Sequence, residues 1–342
     1  MSQLFFMSLY LIPFMPLSTS QKTILVIICI LIAYAGNYFI ISICFKWANS
    51  YVDPKKRAVY SANKEIISLI SGIIFTTVIG YVIDKFDSIG NINGGFLFIA
   101  VSMLVINICN FICLMMIKKE EPEEKVSSEK TFKDILANTV GNKNFRNVII
   151  MTVLWELARY FTYGFMGTFK TNDLMISLFV IQIINMSANV IRILVSRPIG
   201  KYSDKTSYAK GYKLGLYFAA GAFLINVFTT RDTRFLIILF TVLFYICLAG
   251  INQNSYNISY SYVKSEYITY AMAFKNSIAG TCGFVSSVIA GKILGYIQSN
   301  GSMLFGIHIY GQQVLSAVSF IITIITIIFI TNIIEKQEVM VQ

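Results

Sequence analysis

An all-helical membrane protein built from two related bundles, with about ten transmembrane helices divided four and six, is the fold class this sequence predicts. The first observation is composition: 56% of the 342 residues are hydrophobic and only 13% charged, whereas a soluble domain carries about 25% charged residues to wet its surface. The second is a succession of apolar windows of roughly 20 residues, each long enough at 1.5 Å per residue to cross a hydrocarbon core about 30 Å thick. The third is an internal repeat. Ser50-Tyr51-Val52 returns 211 residues later as Ser261-Tyr262-Val263, and the same register sets Lys64 over Lys275, Ile67 over Ile278, Gly72 over Gly283 and Gly80 over Gly291. Each copy is a pair of apolar runs joined by a basic loop. A period this long marks two large halves rather than a solenoid, an organisation familiar in secondary transporters.

Taken in order, the windows are 2 to 18 (short), 23 to 45, 62 to 83, 95 to 117, 147 to 169, 174 to 196, 212 to 229, 235 to 257, 268 to 298 and 308 to 333. All are expected as helices, because a lone strand facing lipid leaves its backbone unpaired. The first has neither a basic n-region nor a small-residue cleavage site, and so reads as part of a span rather than a signal peptide. Residues 1 to 117 form a first bundle. The polar, charge-alternating stretch 118 to 146 is a cytoplasmic linker, within which Thr131 to Val140 suits a short amphipathic surface helix with Phe132, Ile135, Leu136 and Val140 on its apolar side. Residues 147 to 334 form a six-helix bundle and 335 to 342 a tail. Shifting the fifth window back by the repeat length lands before Met1, so this chain is expected to begin near the third of twelve helices; a truncated reading frame, an internal start and a reduced ten-helix protein each fit.

The net charge of +11 does not call for nucleic acid, since the basic residues sit in short connections. Alternate connections and the tail hold twenty Lys and Arg, whereas the opposite ones hold five (Lys22, Lys85, Lys170, Arg231 and Arg234). This asymmetry places the C-terminus in the cytoplasm of a multi-pass cell-membrane protein. The six cysteines all fall in apolar windows without C-x-x-C spacing, so neither a disulfide framework nor a metal site is expected. No cofactor is implied. The expected partners are the bilayer and a small-molecule solute, with the chain acting as a monomer.

Directly after the sixth window stands SRPIGKYSDKTSYAKGYK, residues 196 to 213. It resembles the loop motif of the major facilitator superfamily, G-x-x-x-D-[RK]-x-G-[RK]-[RK], in its second-half copy between the family's eighth and ninth helices. Gly200, Asp204, Lys205, Gly211 and Lys213 take the matching roles, with three extra residues before Gly211 and Tyr212 where a basic residue is usual. FKWANSYVDPKKRAVYSANKEI is similar to the connection before the family's fifth helix, and KNFRNVII to the start of its seventh. The resemblance implies a two-bundle fold in which this loop is a gating latch. Gly200 would let helix ends approach, Asp204 would accept from N–H groups at a neighbouring helix start, whose partial positive charge it favours, and Lys205 and Lys213 would hold the loop on the cytoplasmic side.

Charges inside spans cost about 2.5 to 3.5 kcal/mol each on insertion scales and need an explanation. Glu156 and Arg159 lie one turn apart among Trp155, Tyr160 and Tyr163. They form either a substrate or proton site, or an ion pair that locks the helix. In the next window Gln182, Asn185, Asn189, Arg192 and Ser196 follow at spacings of 3, 4, 3 and 4, one helix face within about 80°, which lines a cavity or a helix contact rather than lipid; Arg192 is placed for gating, substrate contact or snorkelling to the cytoplasm. Asn252, Gln253, Asn254, Tyr256 and Asn257 supply amides and a hydroxyl for solute binding or interhelical bonding. Lys292 is expected to snorkel outward, Gly291 and Gly295 to pack a helix closely, and His308 to lie at the interface.

These features point first to a secondary active transporter that moves a small solute by alternating access, with proton coupling through Glu156 as one form of it. A truncated, non-transporting fragment or membrane sensor is the second reading. No nucleotide-binding loop occurs, so ATP hydrolysis by this chain is not expected, and a polytopic membrane enzyme is disfavoured by a single edge histidine, no H-E-x-x-H, no metal-spaced cysteines and few acids within spans beyond Glu156.

Overall fold

A computed structural model of the protein describes residues 2–50, 52–116, 131–304 and 307–337. Twelve helices follow in order, α1 (Ser2–Ser8), α2 (Thr19–Ser50), α3 (Arg57–Ser88), α4 (Ile92–Met116), α5 (Phe132–Asn138), α6 (Lys143–Tyr163), α7 (Met166–Thr168), α8 (Leu178–Lys205), α9 (Tyr208–Val227), α10 (Leu236–Tyr260), α11 (Ile268–Ser299) and α12 (Gly311–Asn332), with a two-residue antiparallel ladder, Met303–Leu304 against Ile307–His308, between the last two. His308 thus sits in a connection, and the ladder keeps extended backbone out of the spans.

The chain divides into two compact units, one of residues 1–47 and 70–131, the other of 48–69 and 132–342. In the first unit the expected opening span is broken. Pro13 starts a 3-10 turn over Ile12–Phe14 and Pro16 follows it, and without their N–H groups a helix cannot run through. What remains, α1, rises about 10 Å, too short to cross. Helical order resumes at Ser18, whose hydroxyl accepts from Gln21 N while Gln21 Oε1 accepts from Ser18 N, a capping box that starts α2.

Among the described residues seven helices are long and apolar enough to cross a membrane: α2, α3, α4, α8, α10, α11 and α12. α6 and α9, of 21 and 20 residues, match that length but carry more polar side chains, of which Thr152, Thr162 and Asn226 are buried in the second unit. There α9 packs along α10, α6 against α11 and α12, and α12 against α9. Hydroxyls and amides join them: Thr162 to Ser319 at 2.7 Å, Ser319 to Ala158 O at 2.7 Å, Gln312 to Thr162 O at 2.7 Å and Asn226 to Ser316 at 2.6 Å. Bonds of this type hold helices together where lipid removes the hydrophobic drive.

Glycine sets the closest approach, between α9 and α10. A Cβ on Gly250 would stand 2.9 Å from Gly215 Cα and 3.2 Å from Gly211 O, whereas one on Gly221 would meet only Leu243 at 3.6 Å. Gly250→Ala must therefore push the α9 and α10 backbones apart, and we expect it to destabilise the detergent-solubilised protein by about 1–3 kcal/mol. Gly221→Ala should leave the thermal midpoint unchanged or raise it. Gly291 contacts Phe165 and Gly295 faces open space, so only the first of that expected pair packs closely.

The repeat persists in the fold. A 3-10 turn over Pro54–Lys56 precedes α3, and one over Ser265–Tyr267 precedes α11; offset by 211, the turns coincide, and so do both ends of the two 32-residue helices. The sequence-expected boundaries need correction at two connections. The motif segment 196 to 205 is not a loop, since α8 runs to Lys205 with Pro198 inside it, and only Thr206 and Ser207 join it to α9. Lys275, counted with the loop cations, lies in the third turn of α11 and is fully buried. The amphipathic helix is present as α5, with Phe132 exposed and Ile135 and Leu136 partly buried. The first part of the linker, residues 118–130, residue 117 before it and the tail beyond 337 lie outside the described residues.

Candidate functional site

Asp204 makes the contact expected of it with a neighbouring helix start. Asp204, in the last turn of α8, places one carboxylate oxygen 2.9 Å from Ala58 N and the other 2.9 Å from Val59 N. These are two of the first N–H groups of α3, which have no partner within their own helix, and they carry the positive end of its dipole. The approach depends on Gly200, one turn back, where a Cβ would meet Ala58 O at 3.0 Å and Ala62 Cβ at 3.1 Å. Arg57 lies over the Tyr260 ring at 4.8 Å, which fixes the same helix start from α10. Lys205 is exposed and touches none of this. Lys213 instead bonds Thr331 in the last turn of α12 at 3.3 Å and Glu335 just past its end at 2.7 Å.

Two turns further along α3, Glu65 forms an ion pair with Arg192 of α8. Both side chains are largely shielded from solvent. Arg192 does not snorkel because its charge is met inside the protein. Gln253 of α10 completes the group, donating to Ser196 O at 3.0 Å and reaching Glu65 at 3.4 Å, and Asn257 reaches Ser61 at 3.4 Å. Glu65 is absent from the sequence-derived candidates. It stands beside Lys64 at the edge of an apolar window, where a charge reads as belonging to the loop.

On α6, Arg159 Nη1 lies 3.5 Å from Glu156 Oε2, with about a third of the Arg159 side chain and a fifth of the Glu156 side chain exposed. Arg159 also sits 5.2 Å from the Tyr160 ring and 6.0 Å from the Tyr163 ring. This is a loose, partly wet pair, unlike the enclosed one at Arg192. Gly283 of α11 makes room for Tyr160, since a Cβ there would stand 2.6 Å from its ring. Trp155 is buried and does not line a wet cavity; it stacks on Phe244 at 6.4 Å.

The polar stripe of α8 separates by depth. Gln182 is exposed, Asn185 and Asn189 are half-buried, and Ser196 is fully buried. Asn185 and Tyr163 line a cavity of about 190 Å3 together with Lys170, Thr241, Phe244 and Tyr245. On α10 Gln253, Asn254 and Asn257 are buried and Asn252 exposed. Tyr256 covers Lys275, 4.9 Å from its ring, and Lys275 Nζ donates to Ser255 O at 2.7 Å and reaches Ser259 Oγ at 3.3 Å. Its repeat partner Lys64 is exposed, so the duplicated position has taken two different environments. Lys292 is exposed, as expected.

No curated protein has a sequence that matches this one. Solved structures do resemble it. A bacterial homologue of the iron transporter ferroportin in an outward-facing state aligns with a TM-score of 0.65 at 12% identity, over 92% of this chain and 73% of its own. The E. coli fucose:proton symporter FucP aligns with a TM-score of 0.65 at 12% identity, over 96% of this chain and 82% of its own. At that identity the likeness is one of fold alone. The sequence model of the Major Facilitator Superfamily matches residues 1–291, a span that contains the duplicated helix pair, the Asp204 contact and the Glu156 cluster, and by this match the chain belongs to the Major Facilitator Superfamily.

Proposed function

We propose that this protein is a secondary active transporter that moves a small solute across the cell membrane by alternating access, as a monomer with a cytoplasmic C-terminus, and that Glu156 couples the movement to protons. The observation that carries the reading is the Asp204 contact. A carboxylate in the second half of the chain holds the start of α3, the second helix of the first repeat copy, through hydrogen bonds that break without any covalent change. A contact of this kind biases one of two conformations by a few kcal/mol. Glu65 and Arg192 add a second contact between the same two helices.

Glu156 suits proton coupling because its partner is loose. At 3.5 Å from Arg159 and partly exposed, the carboxylate is free to exchange a proton, while the arginine is left to meet an anionic group. In vesicles loaded with protein, an imposed proton gradient is expected to drive solute uptake. Glu156→Gln should lower gradient-driven uptake at least tenfold and leave solute exchange without a gradient near the wild-type rate. Equal loss of both would remove Glu156 from coupling, and unchanged uptake would remove it from the mechanism.

A further inference from the structure

We propose that the cavity between α6, α8 and α10 is a binding site for a small monocarboxylate with a flat apolar body, of the size of benzoate, whose carboxylate is held by Lys170. That this ligand is the solute carried rests on the transport reading; that it binds does not.

The cavity lies at the end of α6 away from the basic linker, where Tyr163, Met166, Gly167 and Lys170 face Asn185 of α8 and Thr241, Phe244 and Tyr245 of α10. Lys170 is 7% exposed, and among the described residues its side chain has one polar contact, Thr241 Oγ1 at 3.4 Å. The Thr241 hydroxyl hydrogen is committed to Ile237 O at 2.7 Å. Thr241 therefore turns a lone pair to the ammonium and offers it no negative charge. An ammonium has three donors, so two remain for a ligand, with the Asn185 amide on the opposite wall. A buried cation without an anion is costly, and a bound carboxylate supplies what the protein does not.

Tyr163, Phe240, Phe244 and Tyr245 give the rest of the wall an aromatic majority, beside Met166, Gly167 and Ile181. Tyr163 stacks on Phe244 at 4.9 Å and 13°, and Phe240 on Phe244 at 5.7 Å and 19°, which leaves flat faces for an aryl or similarly planar body. Volume sets the size. An apolar cavity of roughly 150 Å3 takes benzene, so 190 Å3 admits a benzene ring with one small substituent. A single cation selects one negative charge.

Lys170 stands in the connection between two spans, and its burial brings the ammonium down to about 8. The charged fraction falls as pH rises through that value, whereas a carboxylic acid stays ionised throughout. Benzoate affinity is therefore expected to fall from pH 7 to pH 9.5, and affinity for neutral benzyl alcohol to stay level. The other titratable groups near Lys170 are Tyr163 of α6, Tyr245 of α10 and Asp173 on its own segment; the α8 wall, Ile181 and Asn185, has none. Lys170→Gln tells them apart, because pH dependence that survives it belongs to those groups.

The test is benzoate binding to the full chain in nanodiscs, by calorimetry and by Trp155 emission in a Trp47→Phe background, since Trp155 stacks on the cavity residue Phe244. Wild type is expected to bind benzoate at least tenfold more tightly than benzyl alcohol or benzylamine. Lys170→Gln should weaken benzoate about tenfold to a hundredfold, the loss of one charge-assisted hydrogen bond, and Lys170→Arg should keep most of the affinity. Equal binding of the acid, the alcohol and the amine to wild type overturns the proposal, as does benzoate affinity that ignores both pH and Lys170→Gln. If Lys170→Gln fails to fold, the ligand series and the pH profile on wild type still decide. Benzoate that binds as described but is not exchanged across vesicle membranes sustains the site and rules this ligand out as the solute carried.

Discussion

Asp204→Ala is expected to release the start of α3 and to reduce solute flux by at least tenfold. The substitution leaves Ala58 N and Val59 N, each now 2.9 Å from a carboxylate oxygen, without a partner at the positive end of a 32-residue helix. Replacing a capping residue by alanine costs about 0.5–2 kcal/mol, and hydrogen bonds to a charged group contribute about 1.5–3 kcal/mol. Asp204 is only partly buried, so solvent screens some of its charge and about 2 kcal/mol is the expected loss. That shifts a two-state equilibrium roughly thirtyfold. Asp204→Asn keeps one acceptor and loses the charge, and should fall between wild type and alanine. A local readout separates this from general damage. Lys55, Lys56 and Arg57 lie immediately before the released turn, and limited trypsin digestion should cut there faster in Asp204→Ala while the remainder of the chain resists as before. Wild-type cleavage and wild-type flux in Asp204→Ala would show that the contact holds nothing the transport cycle uses.

This contact shows what the sequence could and could not reveal. The residue and its partner type were legible through the resemblance, since the family's loop motif implies an Asp that accepts from N–H groups at a neighbouring helix start. The partner itself was not, since it lies 146 residues away and no local pattern encodes such a distance. The helix pair was legible in the same way: a repeat at a fixed offset survives in the sequence even where every other cue is hydrophobicity. The ends of helices were harder. Apolar windows stop at the first polar residues, but α8 continues to Lys205 and α2 to Ser50, because helices extend beyond the hydrocarbon and hydropathy does not. The same rule hid Glu65 and Lys275. Glu65 stands near the margin of its apolar window and Lys275 further inside its own, yet both read with the basic loop before them, whereas the fold buries them against α8 and α10. Lys170 was missed for that reason too, as a lone cation between two windows.

The enclosed pair makes a second demand on the fold, and single removal of either partner is expected to do more harm than removal of both. Glu65→Gln leaves Arg192 as an uncompensated charge in an environment that excludes water, and Arg192→Met does the same to Glu65, each at about 3–5 kcal/mol. In a protein of ordinary marginal stability this is enough to lower the yield of folded, detergent-extractable material severely. The double variant Glu65→Gln with Arg192→Met buries no charge, and an ion pair replaced by well-packed neutral groups is often neutral or stabilising. Its thermal midpoint is therefore expected to return close to wild type, with a coupling in the double-mutant cycle of at least about 2 kcal/mol. Transport should diverge from stability at this point. If the pair only holds α3 and α8 together, flux returns with the midpoint. If it is broken and remade in each cycle, the neutral pair removes the ion-pair contribution to the closed state, and flux stays depressed in a protein that melts like wild type. Gln253, which bonds both Ser196 O and Glu65, distinguishes the two. Gln253→Leu should cost about 1–2 kcal/mol through the unmade bond to Ser196 O, and combined with the double variant that cost should simply add, because the carboxylate it shared with Arg192 is gone. A coupling below about 0.5 kcal/mol between Glu65 and Arg192, measured by the same melts, would mean the two charges are each met by other groups and that the α3–α8 contact rests on Gly200 and Asp204 alone.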